Sequence, residues 1–342
     1  PRTSSGKLSR FAARQGYIQR TNLDGQQLSA VESGKKKKKM LKLVAVTGAT
    51  GFIGKNLTER LIENGYKVRA LGRKYQPSNE LIQWIQGDLG NSTALNYLVR
   101  DVSAVIHCAA TVRGGSFKQF ADVNIQGTQN LLEAIVQQSQ SPRFLHISSL
   151  AARQPELSWY AQSKYLSEQV LYQYSDRLNW AVFRPTAVYG PGDKELKPLF
   201  KSMRRGLLPV VGRIHNRFGL LHVKDLIAAI LCWLSSEKPI GGIFELDDGT
   251  PGGYNYQSLS DLVQHEWKRP IRCVLIPNSL IRGVSFLNLA LSKLLQYSPM
   301  LTPGKVNELQ HTDWVCDNAP IQHVLPEWKP RIRLQDSLSE VI

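Results

Sequence analysis

Cysteine is scarce, with four residues in 342 (Cys108, Cys232, Cys273 and Cys316), no CxxC pair and no Cys/His cluster. That spacing supports neither a disulfide framework nor a zinc site, and a reducing cytoplasm is the simplest compartment for it. Long apolar runs are missing too. The most apolar late stretch, Leu280 to Leu301, carries Arg282 and Lys293, which leave only ten uncharged residues between them. A bilayer span needs about 20. The N-terminal charges are not followed by an apolar core, so no signal peptide is read there. Carboxylates are outnumbered, 27 against 43 Lys and Arg, for a net charge of +16. The excess is uneven: residues 1–42 hold eleven Lys and Arg, including Lys35 to Lys39, against Asp24 and Glu32, and the other 300 residues share only +7. A body so mildly basic suits an anionic cofactor or an acidic membrane surface and does not call for nucleic acid.

What is present is ample apolar content, 42% of the chain, enough to bury a large core. Residues 1–40 are polar, rich in Gly, Ser and Lys, and without apolar period, which predicts a basic tail or linker. From Lys42 the pattern changes. Leu43-Val44-Ala45-Val46-Thr47 has the composition of a short buried strand. A helical period through Leu57, Leu61 and Ile62 follows, ending at the cap signal Asn64-Gly65. Further strands are predicted at Lys67–Leu71, Leu81–Gln86, Ala104–His107, Phe144–Ile147 and Ala181–Phe183, with helices at Val123–Gln138 and Tyr160–Tyr174. Such alternation predicts an α/β fold with a parallel sheet covered on both faces. After residue 190 the alternation loosens into Pro- and Gly-rich segments with apolar helices.

Between the first strand and the first helix lies Gly48-Ala49-Thr50-Gly51-Phe52-Ile53-Gly54. Glycines there allow a tight turn, close approach of a pyrophosphate, and packing of helix on strand, while the helix N–H groups face the phosphates. The candidate dinucleotide contacts are Gly48, Thr50, Gly51, Phe52, Ile53 and Gly54. The fold class expected is therefore a Rossmann-type doubly wound sheet over 41–190. A smaller substrate-binding part, 191–342, is expected to interleave with it. NAD-selective sites place an acid at the end of the second strand. This chain reads Arg69-Ala70-Leu71-Gly72-Arg73-Lys74, so Arg73, with Lys74 beside it, is the candidate for a 2′-phosphate, and NADP is expected ahead of NAD.

Tyr160-Ala161-Gln162-Ser163-Lys164 sets a tyrosine and a lysine four apart on one helical face. A phenol ionises near pH 10, and a neighbouring cation favours the phenolate. Tyr160 can then exchange a proton with a substrate oxygen while hydride moves at a nicotinamide. Ser149, at a strand end, is placed to hydrogen-bond that oxygen, with Ser148 the competing choice. His107, His146 and His222 lack acidic partners for a metal site and are read as structural; no metal is expected.

At this point the chain resembles the extended and atypical short-chain dehydrogenase/reductases, the epimerase/dehydratase-like branch, over about residues 42 to 335. The resemblance rests on Thr47–Gly54, Gly87-Asp88-Leu89, His107-Cys108-Ala109-Ala110, Asp122-Val123-Asn124, Ser148-Ser149, Tyr160 with Lys164, Arg184-Pro185 through Gly190, and His222-Val223-Lys224-Asp225. It implies that Asp88 and Leu89 flank an adenine and that Ala109, beside Ala110, lines the cofactor ribose. It also implies that Lys164 holds the nicotinamide ribose and that the stretch after Pro185 covers the nicotinamide. One departure matters: Ser149 and Tyr160 are eleven residues apart, closer than in sugar-nucleotide epimerases of this branch.

The short connection points to a lipid-like substrate. So do the apolar Leu280–Leu295, which reads as a helix lining a greasy channel, as one on a membrane surface, or as a core helix, and the runs Met300–Lys305 and Trp314–Asp317. Those runs resemble bacterial members acting on 3-keto sphingoid or long-chain keto-acyl groups. Residues 1–10 resemble the closing motif of acyl-CoA/acyl-ACP ligases, with Lys7 as its lysine, which implies an acyl-activating neighbour or fusion partner. The expected activity is NAD(P)-dependent reduction of a keto group on a lipid or long acyl chain. The alternatives are a nucleotide-sugar epimerase or dehydratase and a non-catalytic dinucleotide-binding subunit. The expected location is cytoplasmic, with peripheral contact at the inner membrane and a homodimer as the oligomer to test.

Overall fold

The structure is a computed structural model that describes residues 42–340. The basic segment 1–40, with its ligase-like motif, lies outside them. In chain order come β1 (Leu43–Thr47), α1 (Phe52–Glu63), β2 (Lys67–Gly72), β3 (Ile82–Gln86), α2 (Ser92–Val99) and β4 (Ala104–His107). A π-helical turn, Ala121–Gln126, then leads into α3 (Gly127–Val136), β5 (Arg143–Ile147), α4 (Trp159–Tyr172) and β6 (Trp180–Pro185). Each strand predicted from the sequence is found, to within one or two residues at its ends.

β1 shows why the sheet is doubly covered. Val44 and Val46 pack into one core cluster with Leu57 and Leu61 of α1. Ala45 points the other way, into a cluster with Leu95, Leu98, Leu131 and Phe144. A strand buried on both faces must be apolar throughout, as Leu43–Thr47 nearly is. α1 ends as its Asn64-Gly65 signal predicts. Gly65 has φ +77, and the Gly65 and Tyr66 N–H groups return to the Ile62 and Leu61 carbonyls at 3.1 and 3.0 Å.

Later elements are β7 (Ala187–Tyr189), α5 (Lys197–Arg204), β8 (Leu207–Val210), β9 (Arg217–Phe218), β10 (Leu220–His222), α6 (Val223–Ser235), β11 (Gly242–Leu246), α7 (Tyr256–Trp267), β12 (Arg272–Leu275), α8 (Asn278–Leu295) and α9 (Pro303–Gln310). β11 returns to the main sheet, giving a seven-stranded order β11-β6-β5-β4-β1-β2-β3 with every ladder parallel. The order reverses between β1 and β4, and ligands of open parallel sheets bind beyond the carboxyl ends of the strands at such a reversal. The later part has its own core around Tyr189, Phe200, Met203 and Leu259. α8 contributes little to any core: only Ile281 joins a small cluster with Val211 and Val306. Among the described residues, no helix is long and apolar enough to cross a membrane.

Candidate active site

The loop after β1 turns on Gly48, at φ +68, where a Cβ would come within 2.6 Å of the Ala109 nitrogen. A Cβ on Gly54 would lie 2.1 Å from the Gly48 carbonyl oxygen. Only glycine lets the loop, the start of α1 and the end of β4 close up in this way. Gly51 caps α1 without a side-chain hydrogen bond, and Thr50 and Gly51 are exposed. The first-turn N–H groups of α1, at the positive end of its dipole, are therefore open to an anion. Phe52 and Ile53 sit half-buried behind them, against the core.

The neighbouring strand ends bring the other candidates to the same edge. Arg73 and Lys74 are exposed directly after β2. Arg69, by contrast, is spent on Gln83 Oε1 at 2.9 Å and the Arg100 carbonyl at 2.6 Å. Beyond β3, Asp88 is exposed and accepts from the Gly90 N–H at 2.9 Å, while Leu89 is buried. Ala109 donates its N–H to Thr47 Oγ1 at 3.3 Å, Ala110 is exposed, and Pro185 is buried beside Leu246 of β11. This cradle fits a dinucleotide: a close backbone approach, open amides, and a cation rather than an acid beyond β2.

Beyond β5 the two serines part. Ser148 is buried and donates to Glu168 Oε1 at 2.5 Å. Ser149 instead caps the turn Leu150–Arg153, its Oγ accepting from the Ala151 N–H at 3.2 Å. Tyr160 opens α4, whose N-cap is Ser158. Burial raises the phenol pKa more than the neighbouring Ser149 hydroxyl lowers it. Lys164, one turn on and 1% exposed, donates to the Ile147 carbonyl at 2.8 Å. Burial pulls its pKa down to about 8, against the opposing pull of Glu168. At neutral pH the site thus holds a protonated phenol and a mostly charged ammonium.

The histidines have partners of their own. His107 bonds Thr47 at 2.6 Å and Thr128 at 3.0 Å, and His146 bonds Ser167 at 3.0 Å. Burial and then Lys164 push His107 down to about 3 and His146 well below its ordinary value, so both stay neutral. Among the described residues, no group of three or more His, Cys, Asp or Glu is placed to hold a metal ion.

The structure adds residues to which the sequence assigned no role at the site. Glu168 is 1% exposed and takes Arg184 Nε at 3.0 Å and Nη2 at 2.5 Å. Its position four after Lys164, on the same helical face, was the available signal. Asn124, buried in the π-turn, holds the Thr111 backbone through both N–H and C=O and donates to Ser163 Oγ at 2.8 Å. From α9, Glu308 hydrogen-bonds Ser158, and Lys305 pairs with Glu308 at 2.7 Å. Burial opposes the Lys305 charge, but Glu308 outweighs it and raises its pKa. Lys305 in turn lowers that of Tyr160. Nothing local in the sequence places α9 there.

A glycine loop at the sheet's reversal, with Tyr160 and Lys164 a turn apart beyond β5, defines a dinucleotide-dependent enzyme of the short-chain dehydrogenase/reductase type, acting on a CH–OH or C=O group. The chain belongs to the NAD dependent epimerase/dehydratase family, whose model matches residues 44–246. It is 32% identical over 290 residues to a ceramide reductase of Caulobacter vibrioides, covering 83% of this chain and 89% of that one. A sterol-4-alpha-carboxylate 3-dehydrogenase, decarboxylating, of Mus musculus is 26% identical over 301 residues, covering 78% and 81%. Among solved structures, UDP-glucuronic acid 4-epimerase from Bacillus cereus, in complex with UDP-glucuronic acid and NAD, matches with a TM-score of 0.67 over 88% of this chain and 97% of that one. At 22% identity that match shows the fold alone.

Proposed function

We propose that this enzyme reduces a ketone on a long-chain lipid, using NADPH in preference to NADH. The observation that carries the reading is the similarity to a ceramide reductase across 83% of the chain. The eleven-residue Ser149–Tyr160 connection agrees with it. A bound reduced nicotinamide supplies the hydride that reaches the carbonyl carbon. Tyr160 gives its phenolic proton to the carbonyl oxygen, and the product is the secondary alcohol. A phenol held protonated by burial suits this direction, since reduction needs an acid and oxidation a base. Ser149 hydrogen-bonds the same oxygen, and the Lys164 ammonium favours the phenolate left behind. Arg73, exposed beyond β2 with Lys74 beside it, would hold the 2′-phosphate. An acyl-activating ligase as functional neighbour belongs to the same reading, on residues 1–10 alone.

The test is a panel of β-keto amide and β-keto acyl lipids offered with NADPH and NADH, with products read by mass spectrometry. Alcohol formation, faster with NADPH, is expected. Failure to reduce any of them, together with epimerisation of UDP-glucose, would replace this reading with the sugar-nucleotide one. The rate of reduction should fall as pH rises through about 8, where Lys164 loses its proton.

A further inference from the structure

We infer that the outer face of α8, with the β8–β12 edge beside it, docks on an anionic lipid bilayer. α8 buries Ile281, Ser285 and Ser292 and turns its leucines outward. The two serines are satisfied locally, on the Arg282 and Leu289 carbonyls. Leu280, Val284, Leu287, Leu291 and Leu294 recur every three or four residues, which sets them on one helical face. All are exposed, Leu287 to 61% and Leu294 to 77%. The paired strands β8 and β12 add exposed Leu207, Val274 and Leu275, and Ile276-Pro277 joins them directly to α8.

Charge says what covers this face. Between Glu266 and Glu308 there is no carboxylate, but there are Lys268, Arg269, Arg272, Arg282 and Lys293, besides Lys305, which is paired with Glu308. The segment between Glu195 and Asp225, which includes β8, likewise holds cations and no carboxylate. A second copy seated here would set cation against cation, whereas anionic headgroups match both the charges and the leucines. The buried side of the same helix borders the site. A Cβ on Gly115 would sit 3.2 Å from Ser292 Oγ of α8, and Thr111, in the same loop, is held by Asn124. A Cβ on Gly304, at the start of α9, would meet Ser158 at 2.9 Å, two residues before Tyr160. A lipid ketone could thus enter from the bilayer; this last step rests on the proposed function, and the docking itself does not.

The test is flotation of the full chain with phosphatidylcholine vesicles, with and without phosphatidylglycerol. The chain should float with the anionic vesicles and much less with the neutral ones. Leu287→Glu/Leu294→Glu should cut anionic binding by about tenfold or more, because apolar burial and charge act together at interfaces. The basic residues 1–40 are the same in both proteins, so equal binding by the double variant would overturn the proposal. So would absence of binding by the parent, or a parental dimer that the double variant converts to monomer. NADPH binding and thermal unfolding should be unchanged in the variant, which shows that it is folded. Failure of the parent to reduce any β-keto lipid dispersed in detergent would count against the proposed function and leave the vesicle result standing.

Discussion

Compare α4 with α8. α4 buries Ser163, Lys164, Ser167 and Glu168 beside Ala161 and Leu171, while α8 buries two serines and shows its leucines to solvent. An ordinary surface helix does neither, since its apolar stripe faces the core. In α4 the buried polar groups are partnered: Lys164 with Ile147, Ser167 with His146, and Glu168 with Ser148 and Arg184. Burying charge is costly unless it is paired, and here the result is an ammonium with a depressed pKa one turn from a phenol. The exposed leucines of α8 have no such compensation within the described residues. The difference teaches that α4 is completed by its own protein, and that α8 is built to be completed by something else.

That contrast can be broken at its strongest point first. Glu168→Ala should cost about 3 kcal/mol or more by chemical denaturation, because it leaves the buried Ser148 hydroxyl without its acceptor and Arg184 with only the longer Glu245 contact at 3.8 Å. It should also shift the pH edge of reduction to lower values, because Glu168 helps keep Lys164 charged. A loss below about 0.5 kcal/mol, the usual size of a surface change, would mean that α4 is not held as described. Next, Arg73→Asp should reverse the preference for NADPH, by roughly 1.5–3 kcal/mol for one charge-assisted phosphate contact. Equal use of both cofactors by the parent would remove that role from Arg73. The smallest effect belongs to α8. Leu287→Ser should change stability by no more than about 0.5 kcal/mol, while the same change at buried Leu57 should cost at least about 2.

The sheet was legible because its signals are local. Leu43–Thr47 followed by a glycine turn and an Asn-Gly stop specifies strand, loop and helix within about twenty residues. The edge strand β11 was not read, because Gly241-Gly242-Ile243-Phe244 follows a stretch where alternation has already loosened. Tyr160 and Lys164 were legible from helical spacing. What separates Ser148 from Ser149 was not, since Ser148 is held by Glu168, which reaches it only through the fold. Glu308 was out of reach for the same reason, meeting Ser158 across 150 residues, and so was its partner Lys305. For α8 a helix over Leu280–Leu295 was legible, but which side faces inward depends on the packing of Ile281 against Val211 and Val306.

The central claim is that Tyr160 is the proton donor of a lipid-ketone reductase. Tyr160→Phe removes one hydroxyl and leaves the ring, which lies 6.4 Å from that of Phe120, in its packing. Single-turnover reduction of a β-keto lipid by the NADPH-loaded variant should slow by at least about a hundredfold, the low end for lost acid catalysis. NADPH affinity, measured by calorimetry, should stay within about twofold, since binding is assigned to the glycine loop and Arg73. Near-normal reduction by Tyr160→Phe would contradict the account.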